Sequence, residues 1–171
     1  MAEVKIVKAD NTHDDVVASH YLKIWESYGT PLQDIRTDAA EVVGAFLKSG
    51  RKTRHLASFL AFYEGTPVGS VSVQLHLLPY PQVLKTSISK PGYVWSVWVE
   101  QEFRGLGVAT KLMSKAAAYL KSRGCTGIVL HSSKAGEALY RSLGFEPAHE
   151  MRMTFGTDDL NAANISSERG T

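Results

Sequence analysis

SVWVEQEFRGLGVATKLM, residues 96–113, is the stretch that decides the fold. Its first part is β-branched and aromatic and predicts the end of a strand, and the apolar spacing that follows predicts a helix over residues 106–123. Arg104, Gly105 and Gly107 stand at the junction. The first N–H groups of a helix lack acceptors and carry partial positive charge, and glycine lets an anion approach the main chain. The junction therefore predicts a binding site for a diphosphate.

Two common phosphate-binding patterns do not occur in this sequence. A P-loop needs G-x-x-x-x-G-K-S/T, which is absent. A Rossmann fingerprint needs a third glycine, where this chain has Thr110, and an acidic residue about 20 positions on, but none lies between Glu102 and Glu137. Thr110 instead offers a hydroxyl in the first turn of the predicted helix. Glycines that serve only as turn residues remain the alternative interpretation.

Hydrophobic periodicity divides the rest of the chain into strands and helices. Strands are predicted at 4–9, at 93–100, at 127–132, at 150–155 and as a hairpin within 56–78 that turns at EGTP. Helices are predicted at 14–28, 38–49, 106–123 and 134–143. Residues 79–92 hold three prolines and no periodicity, which predicts a surface loop. This order is typical of an α/β protein with a mixed sheet.

Composition excludes several classes of protein. The 171 residues are 44% hydrophobic and 21% charged with a net charge of +2, and the scattered basic residues form no stripe for nucleic acid. A single cysteine, Cys125, excludes an intramolecular disulfide and argues against a cysteine-ligated metal. No signal peptide or membrane span is recognisable, so a cytoplasmic location is expected. One domain is predicted over 1–156, followed by a flexible polar tail over 157–171.

A second motif lies downstream of the predicted 106–123 helix. Leu139, Tyr140, Gly144 and Phe145 form the pattern L-Y-x-x-x-G-F at the end of a helix of small residues. With the motif Q/R-x-x-G-x-G/A, which residues 104–109 match, this pattern resembles the GCN5-related N-acetyltransferase (GNAT) family over roughly residues 4–155. The resemblance implies a mixed α/β fold with a central splayed sheet of six to seven strands and about four helices.

The resemblance also implies a cosubstrate, acetyl-coenzyme A, and no metal. The main chain before the junction would bind the pantetheine arm where the sheet splays from the strand around Leu130 and His131. Tyr140 would protonate the departing thiolate, and a main-chain N–H of Trp98 or Val99 would polarise the thioester carbonyl. Ser133 stands where the family often has asparagine, and Gly136 where alanine is common. The implied cosubstrate-binding residues are Val97, Trp98, Val99, Arg104, Gly105, Leu106, Gly107, Val108, Ala109, Thr110, Ser133 and Gly136.

The implied activity is transfer of an acetyl group to a primary amine of a small molecule by direct attack in a ternary complex. A protein or peptide N-acetyltransferase, and a coenzyme A-binding sensor without catalysis, stay open as alternatives. A homodimer is a family expectation. The acceptor side is predicted to involve the 28–34 segment, the 79–92 loop as a lid, and the aromatic residues Trp25, Tyr28, Tyr80, Trp95 and Trp98.

The base that removes the proton of the amine is left open by the sequence. Histidine has the intrinsic pKa best suited to the task, and a carboxylate or water can also serve. Each candidate residue has an ordinary structural role as its alternative. The candidates are Glu100, His76, His131 and Glu150.

Overall fold

One mixed sheet organises the computed structural model, which describes residues 3–148 and 150–153. Its five strands run in spatial order β1-β2-β3-β4-β5, with the first four antiparallel and β5 parallel to β4. The strands are β1 (Lys5–Lys8), β2 (Ala57–Tyr63), β3 (Thr66–Leu75), β4 (Pro91–Val99) and β5 (Gly127–Val129). The helices are α1 (Asp14–Ser27), α2 (Ala39–Thr53), α3 (Val108–Ser122) and α4 (Glu137–Ser142).

The predicted α/β class and mixed sheet are confirmed, but the strand count is lower than the expected six to seven. The strand predicted over 150–155 is not formed by residues 150–153, and residues 154 and 155 lie outside the described residues. The alternation that predicted it would bury Met151 and Met153, which are 96% and 77% exposed. The predicted tail, 157–171, also lies outside the described residues.

Two apolar layers cover the two faces of the sheet. The helix α3 packs on one face, where Leu112, Ala116 and Leu120 are fully buried. The helices α1 and α2 pack on the other face through Val17 and Leu47. The two cores anchor the sheet between helices, so that the ends of its strands are free to form a site. Within the described residues, no helix is long and apolar enough to cross a membrane.

A bulge in β4 shapes the functional end of the sheet. Ser72 pairs with Trp95 and Ser70 with Trp98, so three steps along β4 match two along β3. Ser96 takes up the extra residue with φ of +56°. A bulge bends its strand and increases the local twist, which turns the end of β4 away from β5.

The pairing of β4 with β5 ends early as a result. Tyr93 and Val129 are the last pair, although β4 continues through residues 94–99. The strand predicted over 127–132 therefore stops at Val129, because beyond the splay it has no partner to bond. Leu130 and His131 follow the strand rather than lying in it, and a V-shaped gap opens between the two chain segments. The splay expected from the family resemblance is present.

Candidate active site

A cavity of about 780 Å³, here called the α3 cavity, lies between the end of β4, the start of α3 and α4. It brings together nearly all of the residues predicted to bind a ligand. Leu106 is the exception, because its side chain is 68% exposed and does not line the cavity. The predicted residues that line it are Val97, Trp98, Val99, Arg104, Gly105, Gly107, Val108, Ala109, Thr110, Ser133, Gly136 and Tyr140.

The start of α3 forms the positive end of this cavity. Gly107 is the N-cap residue, with φ of +75°, and no side chain caps the helix. Gly105 has the same φ, and a Cβ at either glycine would meet no protein atom within 4 Å. The first-turn N–H groups therefore face open space with the helix dipole behind them. This geometry suits an anion that touches the main chain.

Arg104 is held in place beside the helix start. Its Nε donates to the carbonyl oxygen of Val99 at 2.9 Å, and its guanidinium lies 5.0 Å from the centre of the Trp98 ring. Because both contacts fix the side chain, its positive charge is preorganised next to the free amides. Arg104 thereby also ties the end of β4 to the turn that precedes α3.

The unpaired edge of β4 forms the long wall of the α3 cavity. Residues 94–99 have no strand neighbour on the β5 side in the described part of the chain. Val97, Trp98 and Val99 of this edge line the cavity. Unpaired main-chain groups in such a position favour an extended ligand that bonds to the strand edge. A linear chain with amide groups would fit this wall.

Tyr140 stands at the inner end of the α3 cavity. Burial raises the pKa of its hydroxyl to about 12, with a smaller contribution from Tyr28. A Cβ at Gly136 would lie 2.8 Å from Cε2 of Tyr140, so the glycine is required for the ring to occupy this place. Ser133 Oγ accepts a hydrogen bond from the N–H of Gly136 at 3.2 Å, which fixes the turn before α4.

Substituting Gly136 with alanine is expected to lower the rate of a reaction in which Tyr140 takes part about tenfold, while the chain stays folded. The backbone at Gly136, with φ of −87°, accepts alanine without strain, so the new methyl group acts by displacing the Tyr140 ring. A displacement of about 1 Å is enough for a loss of this size when the displaced group takes part in a reaction. Steady-state kinetics and the melting temperature test this, and an unchanged turnover would show that the position of the ring does not matter.

A second cavity of about 1150 Å³, here called the β5 cavity, lies along β5 and α4. It shares Tyr28, Ser133, Lys134 and Tyr140 with the α3 cavity. Tyr140 therefore lies where two ligands would meet, each in its own cavity. Such a junction provides the proximity that a transfer between two bound molecules needs.

Only some of the aromatic residues predicted for the acceptor side line the β5 cavity. Trp25 and Tyr28 line the β5 cavity, and Tyr28 is the one residue of the 28–34 segment that lines either cavity. Trp95 instead packs edge-to-face between Tyr21 and Phe46, at 5.4 Å from each ring. Trp98 lies under the guanidinium of Arg104, and Tyr80 is in the loop between β3 and β4, which lines neither cavity. The lid role predicted for that loop therefore has no support in the described geometry.

The candidate base Glu100 is part of a structural cluster. Lys23 donates to its carboxylate at 2.6 Å, and the buried His20 lies 3.5 Å from the same oxygen. Burial, the largest single effect, would raise the pKa of Glu100, but its hydrogen bonds and the nearby charges of Lys23 and His20 together outweigh burial and the pKa is lowered. Glu100 lines neither cavity. The cluster ties α1 to the end of β4, and the ordinary helical position of His20 gave no sequence signal for it.

The other three candidate bases lie close together. His131 and Glu150 are hydrogen-bonded to each other and line the β5 cavity. Tyr93, which the sequence did not single out, bonds to His131 and stacks on His76 with ring centres 5.1 Å apart. Burial, followed by the nearby His131, lowers the pKa of His76. Within residues 3–148 and 150–153, no group of three or more His, Cys, Asp or Glu side chains could hold a metal ion.

The chain resembles known acetyltransferases in sequence and in fold. The model of the Acetyltransferase (GNAT) family matches residues 18–145, which confirms the resemblance carried by the two motifs. N-alpha-acetyltransferase MAK3 of Arabidopsis thaliana is 31% identical over 90 residues, 51% of this chain and 43% of that protein. The match thus spans less than half the length of this relative.

Solved structures share the fold at lower sequence identity. A predicted acetyltransferase from Clostridium acetobutylicum, solved with acetyl-CoA, has a TM-score of 0.76 at 20% identity, covering 90% of this chain and 96% of that chain. Aminoglycoside N-acetyltransferase AAC(6')-Iy, solved with CoA, has a TM-score of 0.69 at 18% identity, covering 92% of this chain and 97% of that chain. These similarities concern the fold.

Proposed function

The chain belongs to the Acetyltransferase (GNAT) family, and on this premise we propose that it transfers the acetyl group of acetyl-coenzyme A to a primary amine of a small molecule. One observation carries the proposal. The α3 cavity joins a free helix start to an unpaired strand edge, and it meets the β5 cavity at Tyr140. The first cavity suits a diphosphate with a long amide-containing arm, and the second suits the acceptor.

The residues present fit acetyl-coenzyme A, which supplies the acetyl thioester that the amine attacks. The amides of Val108, Ala109 and Thr110 would hold the diphosphate, with Arg104 adding charge. The edge of β4 over 97–99 would bond the amide groups of the arm. A main-chain N–H of Trp98 or Val99 would polarise the carbonyl, as preorganised donors do in acyl transfer.

Tyr140 would stabilise the sulfur that leaves. A pKa of about 12 keeps its hydroxyl protonated throughout the neutral range, whereas an ordinary thiol has a pKa near 8.5. Complete proton transfer from Tyr140 to a thiolate would therefore be uphill. Tyr140 acts mainly by donating a hydrogen bond to the developing negative charge, and solvent completes the protonation.

A similar structure favours a small acceptor, because AAC(6')-Iy is named for acetylation of aminoglycosides. The β5 cavity, at about 1150 Å³, has room for such a molecule and is slightly larger than a typical small-molecule site. The match to N-alpha-acetyltransferase MAK3 instead favours the N-terminus of a protein as acceptor. That match covers about half of this chain, so the small molecule is the proposed acceptor and a peptide is the second candidate.

An acceptor screen tests the proposal. The purified chain is incubated with acetyl-coenzyme A and with amino acids, polyamines, aminoglycosides or short peptides with free N-termini, and thiol release is measured together with product mass. We expect release and an acetylated product with at least one small amine. Acetylation of peptides alone would favour the second candidate. Binding of acetyl-coenzyme A by calorimetry without any transfer would favour a sensor and contradict the proposal.

A further inference from the structure

Three polar side chains form a continuous chain at the point of the V where β4 and β5 part. The hydroxyl of Tyr93 lies 2.5 Å from Nδ1 of His131, and Nε2 of His131 is bonded to a carboxylate oxygen of Glu150. The other oxygen of Glu150 accepts from Nε of Arg152 at 2.6 Å. These contacts link the last paired residue of β4 to the segment after α4.

The direction of the hydrogen bonds follows from the charge on Glu150. The bond from Arg152, followed by that from His131, lowers the pKa of this carboxyl, so Glu150 is ionised and can only accept. Nε2 of a neutral His131 must then carry the hydrogen, and Nδ1 must accept from the hydroxyl of Tyr93. The arrangement presets the imidazole to take a second proton at Nδ1, with Glu150 stabilising the resulting cation.

The place of these hydrogen-bonded side chains in the site suits proton uptake from an acceptor. His131 and Glu150 line the β5 cavity, and their side chains are 53% and 51% exposed. Tyr140 lines the same cavity and marks where the acetyl group would be delivered. An alkylamine is mostly protonated at neutral pH, so it must lose a proton before it can attack.

We propose that the Tyr93–His131–Glu150 chain takes up the proton that the acceptor amine loses, with His131 as the proton acceptor and Glu150 as its positioning residue. The inference rests on the proposed acetyl transfer. The hydroxyl of Tyr93 gives its proton to Nδ1 of His131, and its oxygen takes one from the amine through water, because Tyr93 itself does not line the β5 cavity. The net change is one proton moved from the amine to the imidazole, and Tyr93 ends neutral.

Other charged and titratable groups lie around the Tyr93, His131 and Glu150 side chains and bear on the pH dependence of the proton transfer. His76 stacks on Tyr93, and burial lowers the pKa of His76, with a smaller contribution from His131. Burial raises the pKa of Tyr93, with Glu150 and Tyr21 adding to the effect, which favours the neutral phenol at the end of the relay. The remaining charged or titratable groups that line the β5 cavity are Tyr28, Lys134, Glu137, Tyr140, Arg141, Glu146 and Arg152.

A nuclear magnetic resonance measurement tests the geometry without any substrate. Nitrogen shifts of the His131 ring in the folded chain are expected to show the neutral Nε2-protonated tautomer. The variants Tyr93→Phe and Glu150→Gln should each convert this single tautomer into a mixture. Tautomers already mixed in the unsubstituted chain would overturn the proposal, since the imidazole would not be preset.

Kinetics with two amines test the role in proton uptake. With phenethylamine, His131→Gln is expected to lower kcat/KM about tenfold at pH 7, a modest effect for a base because water in the open cavity can replace it. The deficit should close toward pH 9.5, where the amine is increasingly neutral. With 2,2,2-trifluoroethylamine, a weakly basic amine, the variant should lose less than twofold at pH 7. Glu150→Gln should lower kcat with KM unchanged, and this loss should also become smaller toward pH 9.5.

The control is His13→Gln, which removes another histidine bonded to a carboxylate, that of Asp10 at 2.8 Å, outside both cavities. This control should leave kcat/KM unchanged for both amines. Equal losses for the two amines in His131→Gln, or a profile that does not change with pH, would overturn the relay while leaving acetyl transfer intact. Failure of the unsubstituted chain to acetylate any amine would overturn both proposals.

Discussion

Replacing Tyr140 with phenylalanine is expected to reduce turnover about 100-fold with little change in the affinity for acetyl-coenzyme A. The substitution keeps the ring, its place beside Gly136 and its edge-to-face contact with Phe145 at 5.9 Å, and removes only the hydroxyl. A positioned acid or hydrogen-bond donor commonly contributes at least this much to a rate. Steady-state thiol release and calorimetry of coenzyme binding separate the two quantities.

The loss in Tyr140→Phe should also be independent of pH between about 6 and 9. A pKa of about 12 means that the hydroxyl does not titrate in this range, in contrast to the pH-dependent deficit expected for His131→Gln. Tyr119→Phe is the matched control. Tyr119 lies on α3 outside both cavities, and its hydroxyl donates to the carbonyl oxygen of His55 at 2.9 Å. A turnover in Tyr140→Phe equal to that of this control would remove Tyr140 from the mechanism.

Replacing Gly107 with alanine is expected to weaken the binding of acetyl-coenzyme A about 100-fold. At φ of +75° a Cβ is strained by about 1–2 kcal/mol, so the N-cap relaxes and the first-turn amides of α3 move. The new methyl group also enters the space that a diphosphate would occupy. Loss of two hydrogen bonds to a charged group, at about 1.5 kcal/mol each, gives this change in Kd.

Gly65→Ala separates the binding effect from backbone strain. Gly65 lies in the β2–β3 turn with φ of +81°, and a Cβ there also meets no atom within 4 Å. Both variants should lose similar stability in thermal unfolding, but only Gly107→Ala should lose affinity in calorimetry. Equal affinities in the two variants would show that the start of α3 does not hold the coenzyme.

Much of the fold follows from local patterns in the sequence. Gly65 and the positive φ of Glu64 form the predicted hairpin turn, and the apolar spacing from Val108 to Leu120 gives α3 its buried face. The lining of the α3 cavity was also predictable, because glycines at a strand-to-helix junction have a direct physical use. Leu106 was included only through its position in the motif, and its side chain lies outside the cavity.

Other features depend on contacts between distant segments and leave no local signal. The bulge at Ser96 lies in a run that is apolar on both faces, so no break in pattern marks it. Tyr93 is 38 residues from His131, and Glu150 is a further 19; only the folded chain joins them. Gly136 gives a similar lesson, since its lack of a side chain is explained by the ring of Tyr140 rather than by its backbone.

The short union between β4 and β5 has a dynamic consequence. Three residue pairs join these strands, whereas β3 and β4 are paired from Gly69 to Leu75. Segments with few pairing contacts open locally at a lower free energy than the rest of a fold. We therefore expect β5 and α4 to fluctuate more than the first turn of α3. Tyr140 belongs to α4 and therefore moves with the less stable segment. A coenzyme bound in the α3 cavity would contact both α3 and α4, so its binding would also fix the position of Tyr140.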